Sequence, residues 1–165
     1  MPWSKYMIDA SHPKVYLDLI DALLKHTSKD GNYLMRDLYV RSELMKYDFT
    51  KRQHSILKFI FAASYDYGKD TAIIPNMRDW ELCGVQSFKA KCELERLEEM
   101  KVISWNRETH EFGITDPRIR EAPRNYYYNN TRARELFILN LKHAGIDVDS
   151  IIKKSLLEES DKFLE

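Results

Sequence analysis

The sequence has no surplus of either charge: 26 Lys and Arg meet 26 Asp and Glu, a formal net charge of zero over 165 residues. A uniformly basic surface is excluded, so contact with a nucleic acid has to come from a local patch. Cysteine is scarce, with only Cys83 and Cys92. They form no CxxC pair, and no Cys/His group has zinc-ligand spacing. Two reduced, partly buried thiols in a cytoplasmic protein are expected rather than a disulfide. The histidines, His12, His26, His54, His110 and His143, are scattered, and no metal is expected. Long apolar runs are missing, and residues 1–14 lack a basic region followed by an apolar stretch. Neither a membrane span nor a secretion signal is predicted. GxxxxGK[ST], GxSxG, HExxH and GxGxxG are all missing, so the chain is read as a non-enzyme without a cofactor. No repeat or low-complexity tract is present.

What is there is helical periodicity broken by turn signals. Ser11 and Pro13 open an amphipathic helix over 11–27, closed by the Ser28–Asn32 turn cluster. Residues 33–47 open ambiguously between a short strand and a helix, and from Asp37 onward Leu38, Ser42 and Met45 line one side and favour a second helix. Thr50 suits the N-cap of a third, with Ile56, Leu57, Ile60, Phe61 and Ser64 on one face and Gly68 as its stop. Ala72, Ile73 and Ile74 suit a short strand, and Met77–Cys83 a brief helix ended by Gly84. A longer helix from Ser87 to Met100 carries Ala90, Leu94 and Leu97 inward, with Phe88 and Cys92 flanking. Val102, Ile103 and Trp105 then face Phe112 and Ile114 across a turn, predicting a β-hairpin. Trp80 and Trp105 belong to the core or the hairpin base.

That order is the winged helix-turn-helix plan. The predicted fold is therefore mainly α with a small β-hairpin wing, a winged helix-turn-helix core carrying additional N- and C-terminal helices. The expected organisation is an N-terminal helical extension over 1–47, a winged helix over 48–116, a basic, Tyr-rich linker over 117–134, and a C-terminal helical segment over 135–165. The last amphipathic helix is predicted from Val148 to Leu164.

Leu44, Met45, Phe49-Thr50-Lys51-Arg52-Gln53, Ile56, Leu57, Ile60 and Tyr67-Gly68 form one set of matching positions. Ile74, Cys83-Gly84-Val85, Leu94, Leu97, Glu98, Glu99, Val102 and Ile103 form another. On these residues the segment 44–106 resembles the N-terminal domain of phage replication protein O and its relatives in phages and prophages. The resemblance implies a DNA-binding origin protein, a replisome organiser that passes the replicative helicase onto melted DNA through a separate part. The chain departs from it in having Cys92 where relatives commonly place a small polar or basic residue. Its longer helix is also more acidic, through Glu93 and Glu95.

DNA requires cations at phosphates and hydrogen-bonding tips at base edges. The plan sends the first half of the longer helix into the major groove, making Gln86, Ser87, Lys89 and Lys91 the candidate contacts. The competing reading is a solvated face balanced by Glu93 and Glu95. Thr50, Lys51 and Arg52 open a helix and suit a phosphate, or simply cap it. Arg107 at the hairpin tip suits the minor groove or the backbone, or belongs to an ordinary polar turn. Arg118, Arg120, Arg124, Arg132 and Arg134, against only Glu121 and with Tyr126, Tyr127 and Tyr128 among them, suit duplex or single-stranded DNA, unless the tyrosines only pack; Arg118, Arg120 and Arg124 are the candidate contacts. The leading expectation is double-stranded DNA as partner, with a replicative helicase or another replisome protein and a homodimer as further partners. The alternatives are a protein–protein adaptor, favoured by Glu93, Glu95, Glu98 and Glu99, and a winged-helix transcription regulator.

Overall fold

A computed structural model describes residues 34–150 and Lys153. The helix expected over 11–27 lies outside the described residues. So does most of the one expected from Val148, which is helical at 148–150. In chain order the elements are α1 (Leu34–Ser42), a 3-10 turn (Glu43–Lys46), α2 (Lys51–Ala63), a 3-10 turn (Tyr65–Tyr67) and β1 (Thr71–Ile73). A 3-10 helix (Met77–Cys83), α3 (Ser87–Glu99), β2 (Ile103–Asn106), β3 (Glu111–Ile114), a 3-10 turn (Pro117–Ile119) and α4 (Asn130–His143) follow. The described chain is thus α-rich with a small antiparallel sheet. The described residues divide into two compact units, Glu43–Tyr126 and a flanking one that draws on 34–42 and 127–150.

In the Glu43–Tyr126 unit, α2 begins at a reciprocal cap. Thr50 Oγ1 accepts from the Gln53 N–H at 3.2 Å, and Gln53 Oε1 accepts from the Thr50 N–H at 2.9 Å. Two of the donors that a helix start leaves open are thereby satisfied. The helix ends at Ala63, earlier than the Gly68 stop that the sequence suggests. Ser64, fully buried, donates its hydroxyl to the Ile60 carbonyl at 2.6 Å. That bond competes for the carbonyl at the i−4 position and bends the chain into the Tyr65–Tyr67 turn. Gly68, at φ 71°, then closes the turn.

β1 joins the hairpin as a third strand, giving the order β1-β3-β2 with both pairings antiparallel. Its alternation is strict. Ala72 and the following Ile74 are buried, while Ile73 is 68% exposed, so the apolar run 72–74 does not lie wholly inside. In the central strand Gly113 pairs with Ser104 and Thr71. A Cβ there would lie 2.8 Å from Ser104 Oγ.

The core joins Ile56, Leu57 and Ile60 of α2 to Ala90, Leu94 and Leu97 of α3, over Val102, Ile103 and Phe112 of the hairpin region. Fully burying each Leu or Ile is worth roughly 1.5–3 kcal/mol. Trp80, with no exposure, sits edge-on to Phe59 and Phe112 at 5.4 and 5.0 Å, and Trp105 stacks on its cross-strand partner Phe112 at 5.2 Å.

The segment after Thr115 returns along this unit. The Glu121 N–H donates to the Met100 carbonyl (2.8 Å), and the Asp48 N–H donates to the Pro123 carbonyl (2.8 Å). Tyr47 bridges Arg124, and the Asn125 N–H donates to the Lys46 carbonyl at 2.9 Å. Residues 117–126 of the expected linker are therefore hydrogen-bonded strap, and its end, from Asn130, is helix.

In the flanking unit, Tyr39 and Val40 of α1 and Ile138 and Leu141 of α4 are buried. Asn129 caps α4 through a bond from the Arg132 N–H, and Gly145, at φ 83°, follows its end. Leu136 and Leu139 are exposed, at 42% and 57%. No helix among the described residues is long and apolar enough to cross a membrane. Among those residues no group of three or more His, Cys, Asp or Glu is placed to hold a metal ion.

Candidate nucleic-acid interface

The sequence Thr50-Lys51-Arg52-Gln53 puts a capped helix start, two exposed cations and one inward amide in four consecutive positions. The start opens onto a surface cleft of about 530 Å³, lined by Thr50, Lys51, Arg52, Ser55, Gly84, Val85, Glu93 and Arg96. Its wall opposite α2 is the turn that leads into α3. Gly84 there has φ 88°, a backbone angle that a side chain would strain.

A polar relay holds the two helices in register across this cleft. Gln53, whose Oε1 completes the α2 cap, donates from Nε2 to Glu93 Oε2 at 3.1 Å. The other Glu93 oxygen lies 3.5 Å from an Arg96 guanidinium nitrogen. Gln53 and Glu93 are both 6% exposed, so the buried carboxylate is satisfied by an amide and an arginine. Glu93, expected on the solvated face of α3, is turned inward. It neither balances Lys89 and Lys91 nor contributes to an acidic outer surface.

The outer face of α3 follows from its period. With Ala90, Leu94 and Leu97 inside, a step of about 100° per residue sends Phe88, Cys92, Glu95 and Glu99 directly outward. All four are exposed, Phe88 at 70%. Of the candidate contacts, Gln86 and Lys91 are exposed and Ser87 and Lys89 are half-buried. The Lys89 ammonium lies 5.7 Å from the Phe88 ring centroid. Cys83 is half-buried, and burial pushes its thiol pKa up, whereas Cys92 is exposed rather than partly buried. Both are free cysteines.

The hairpin arginine is engaged elsewhere than at the tip. Arg107 stacks its guanidinium 4.1 Å over the Trp105 ring and makes two 2.8 Å bonds to the Glu98 carboxylate of α3. These bonds hold the Glu98 carboxyl below its ordinary pKa. The tip itself is an Asx turn, with Asn106 Oδ1 accepting from the N–H groups of Glu108 (3.0 Å) and Thr109 (3.3 Å).

On the strap, Arg118 forks onto Asp116 at 2.6–3.0 Å. Burial raises the Asp116 pKa, but the bonds and charge from Arg118 outweigh it, and the carboxyl ends lowered. Arg120 is half-buried, donates to the Thr115 carbonyl at 3.1 Å, and lies 5.8 Å from the Tyr47 ring centroid. Arg124 is exposed. Tyr126 and Tyr127 are exposed at 91% and 88%, and Tyr128 is half-buried.

Thr50, Lys51 and Arg52 are thus gathered in the cleft with Arg96, beside the turn that continues into Gln86 and Ser87. Arg107 and Arg118 are paired within the molecule, and Arg120 is bonded to its own backbone neighbourhood. The sequence reading missed Arg96, the inward Glu93 and the outward Phe88. The spacing of Ala90, Leu94 and Leu97 already carried the signal for Phe88, whereas Glu93 and Arg96 acquire their roles only beside α2.

These features define an α-rich protein in which two core helices meet beside a three-stranded sheet and frame a cationic cleft. Residues 25–117 match the family bacteriophage replication protein O, and the match spans more than half of the chain. The chain belongs to that family, which places it among phage replication proteins; the resemblance read over 44–106 falls within the matched residues. Neither a search of curated proteins nor one of solved structures returned a match.

Proposed function

We propose that this chain is a DNA-binding replication initiation protein, a replisome organiser whose Glu43–Tyr126 unit works as a winged helix on origin duplex. In this reading α3 lies in the major groove, where Gln86, Ser87, Lys89 and Lys91 meet bases and phosphates. The α2 start and its cleft take a backbone phosphate. The carrying observation is that cleft, in which Lys51, Arg52 and Arg96 converge beside a capped helix start and the turn into α3. Arg107 braces the hairpin against α3 and approaches DNA only with Glu98 alongside. The protein acts by binding rather than catalysis, and family membership favours replication over transcriptional control. Helicase recruitment and pairing into a homodimer are assigned to surfaces outside the cleft.

The test is binding of the full chain to genomic duplex fragments that include its own coding region. Affinity is expected to fall as salt rises, and Lys89→Ala with Lys91→Ala should weaken binding and reduce the log–log salt slope by roughly two. Salt-insensitive binding, or a double variant equal to the parent, removes α3 from the interface. A second reading, a protein-binding adaptor, is favoured by Glu95 and Glu99, which are exposed on the outward face of α3. Recovery of a helicase without DNA would promote it.

A further inference from the structure

The outward face of α3 begins with an aromatic ring where a groove-reading helix usually carries polar tips. Phe88 is 70% exposed on the first turn, and Cys92, one turn further along the same face, is exposed too. Single exposed apolar residues are ordinary. This one is distinguished by its surroundings. The Lys89 ammonium is 5.7 Å from its ring centroid, and Lys91 and Gln86 are exposed on either side in sequence. An apolar tip bracketed by two cations and an amide fits a polyanion whose groove displays methyl groups. Thymine does so, presenting its C5-methyl beside the O4 acceptor in the major groove. Further along the same face Glu95 and Glu99 are exposed as well. On DNA a carboxylate at Glu95 has a use, since it accepts from cytosine N4.

We infer that Phe88, backed by Cys92, is a specificity-determining contact that reads thymine C5-methyl groups in the major groove. The inference rests on the reading of α3 as the DNA-facing helix. Uracil lacks that methyl and otherwise pairs and is charged as thymine is, so it isolates the contact. The experiment enriches duplexes from a randomised pool on the full chain. The tightest duplex is then resynthesised with deoxyuridine at each thymidine in turn. One or two positions should lose about fourfold in affinity each, the worth of burying one methyl-sized group. Phe88→Ala should bind the thymidine and deoxyuridine duplexes alike, and Phe88→Leu, which keeps an apolar tip, should retain part of the discrimination. Enrichment of a duplex that ignores deoxyuridine, or a penalty equal in the parent and Phe88→Ala, overturns the inference and leaves DNA binding standing. Unchanged discrimination in Phe88→Ala with a loss of self-association overturns it in favour of an apolar protein contact. No enrichment of any duplex overturns both the inference and the proposed function.

Discussion

At the scale of single residues, position 113 shows how little room the hairpin leaves. Gly113 lies in the central strand, and an added Cβ would meet Ser104 Oγ at 2.8 Å, well inside contact distance. Gly113→Ala should therefore turn the Ser104 hydroxyl out of its present position and destabilise the protein by about 0.5–1.5 kcal/mol, the cost of a displaced side-chain torsion. Chemical denaturation at equilibrium checks it, and a loss well above that range would mean that the strands themselves have to move. The sequence identifies this residue only as part of an alternating stretch, because alternation reports which face a residue takes and not how closely the facing strand approaches. The same limit explains Ile73. Its neighbours 72 and 74 are apolar, and three apolar residues in a row conceal which one the pleat turns outward. Thr50 is the opposite case, since a helix cap is a local matter and its hydroxyl needs only the Gln53 backbone three residues on.

At the scale of elements, the decisive contacts run between α3 and its neighbours. The Gln53–Glu93–Arg96 relay ties α3 to α2, and Arg107–Glu98 ties it to the hairpin. Both were illegible in sequence for one reason: a carboxylate on a helix looks solvated until a partner forty residues away, or across a turn, is placed beside it. The hairpin tie makes a pH prediction. The folded Glu98 pKa is lowered, chiefly by hydrogen bonds from Arg107. A lowered folded pKa stabilises the fold above the unfolded value, about 4.3 for glutamate, and that contribution is lost as pH falls through the folded value. Glu98→Gln should accordingly melt earlier than the parent at neutral pH, with the gap closing below about pH 4. Thermal scans across that range check it, and a gap that persists at pH 3 would show that charge is not its source. Other element boundaries were readable. The 3-10 helix Met77–Cys83 stops before Gly84 as its sequence suggests, whereas α2 ends at Ala63 because the hydroxyl of the next residue, Ser64, intervenes before the glycine.

At the scale of the molecule, the buried cluster of the central unit runs from Tyr47 to Phe112, with Ala122 packed against it from the strap. A fragment spanning 43–126 should therefore unfold cooperatively on its own, with a single thermal transition followed by circular dichroism. A broad, non-cooperative loss of signal would mean that the flanking residues complete its core. The α-rich plan with a hairpin was legible because helical period and strand alternation are strong local signals. The joining of β1 to the hairpin was not, since pairing Thr71 with Gly113 bridges more than forty positions. The neutral overall charge concealed the cleft for a related reason: Lys51, Arg52 and Arg96 become one feature only when two helices bring their ends together.

The bridge between Tyr47 and Arg124, with Lys46 and Asn125 hydrogen-bonded beside it, sets the entrance and exit of this unit side by side. A module with adjoining ends is portable. It can be spliced into a surface loop of a host protein, or have its termini joined and be reopened elsewhere, without prising apart the helices that frame the cleft.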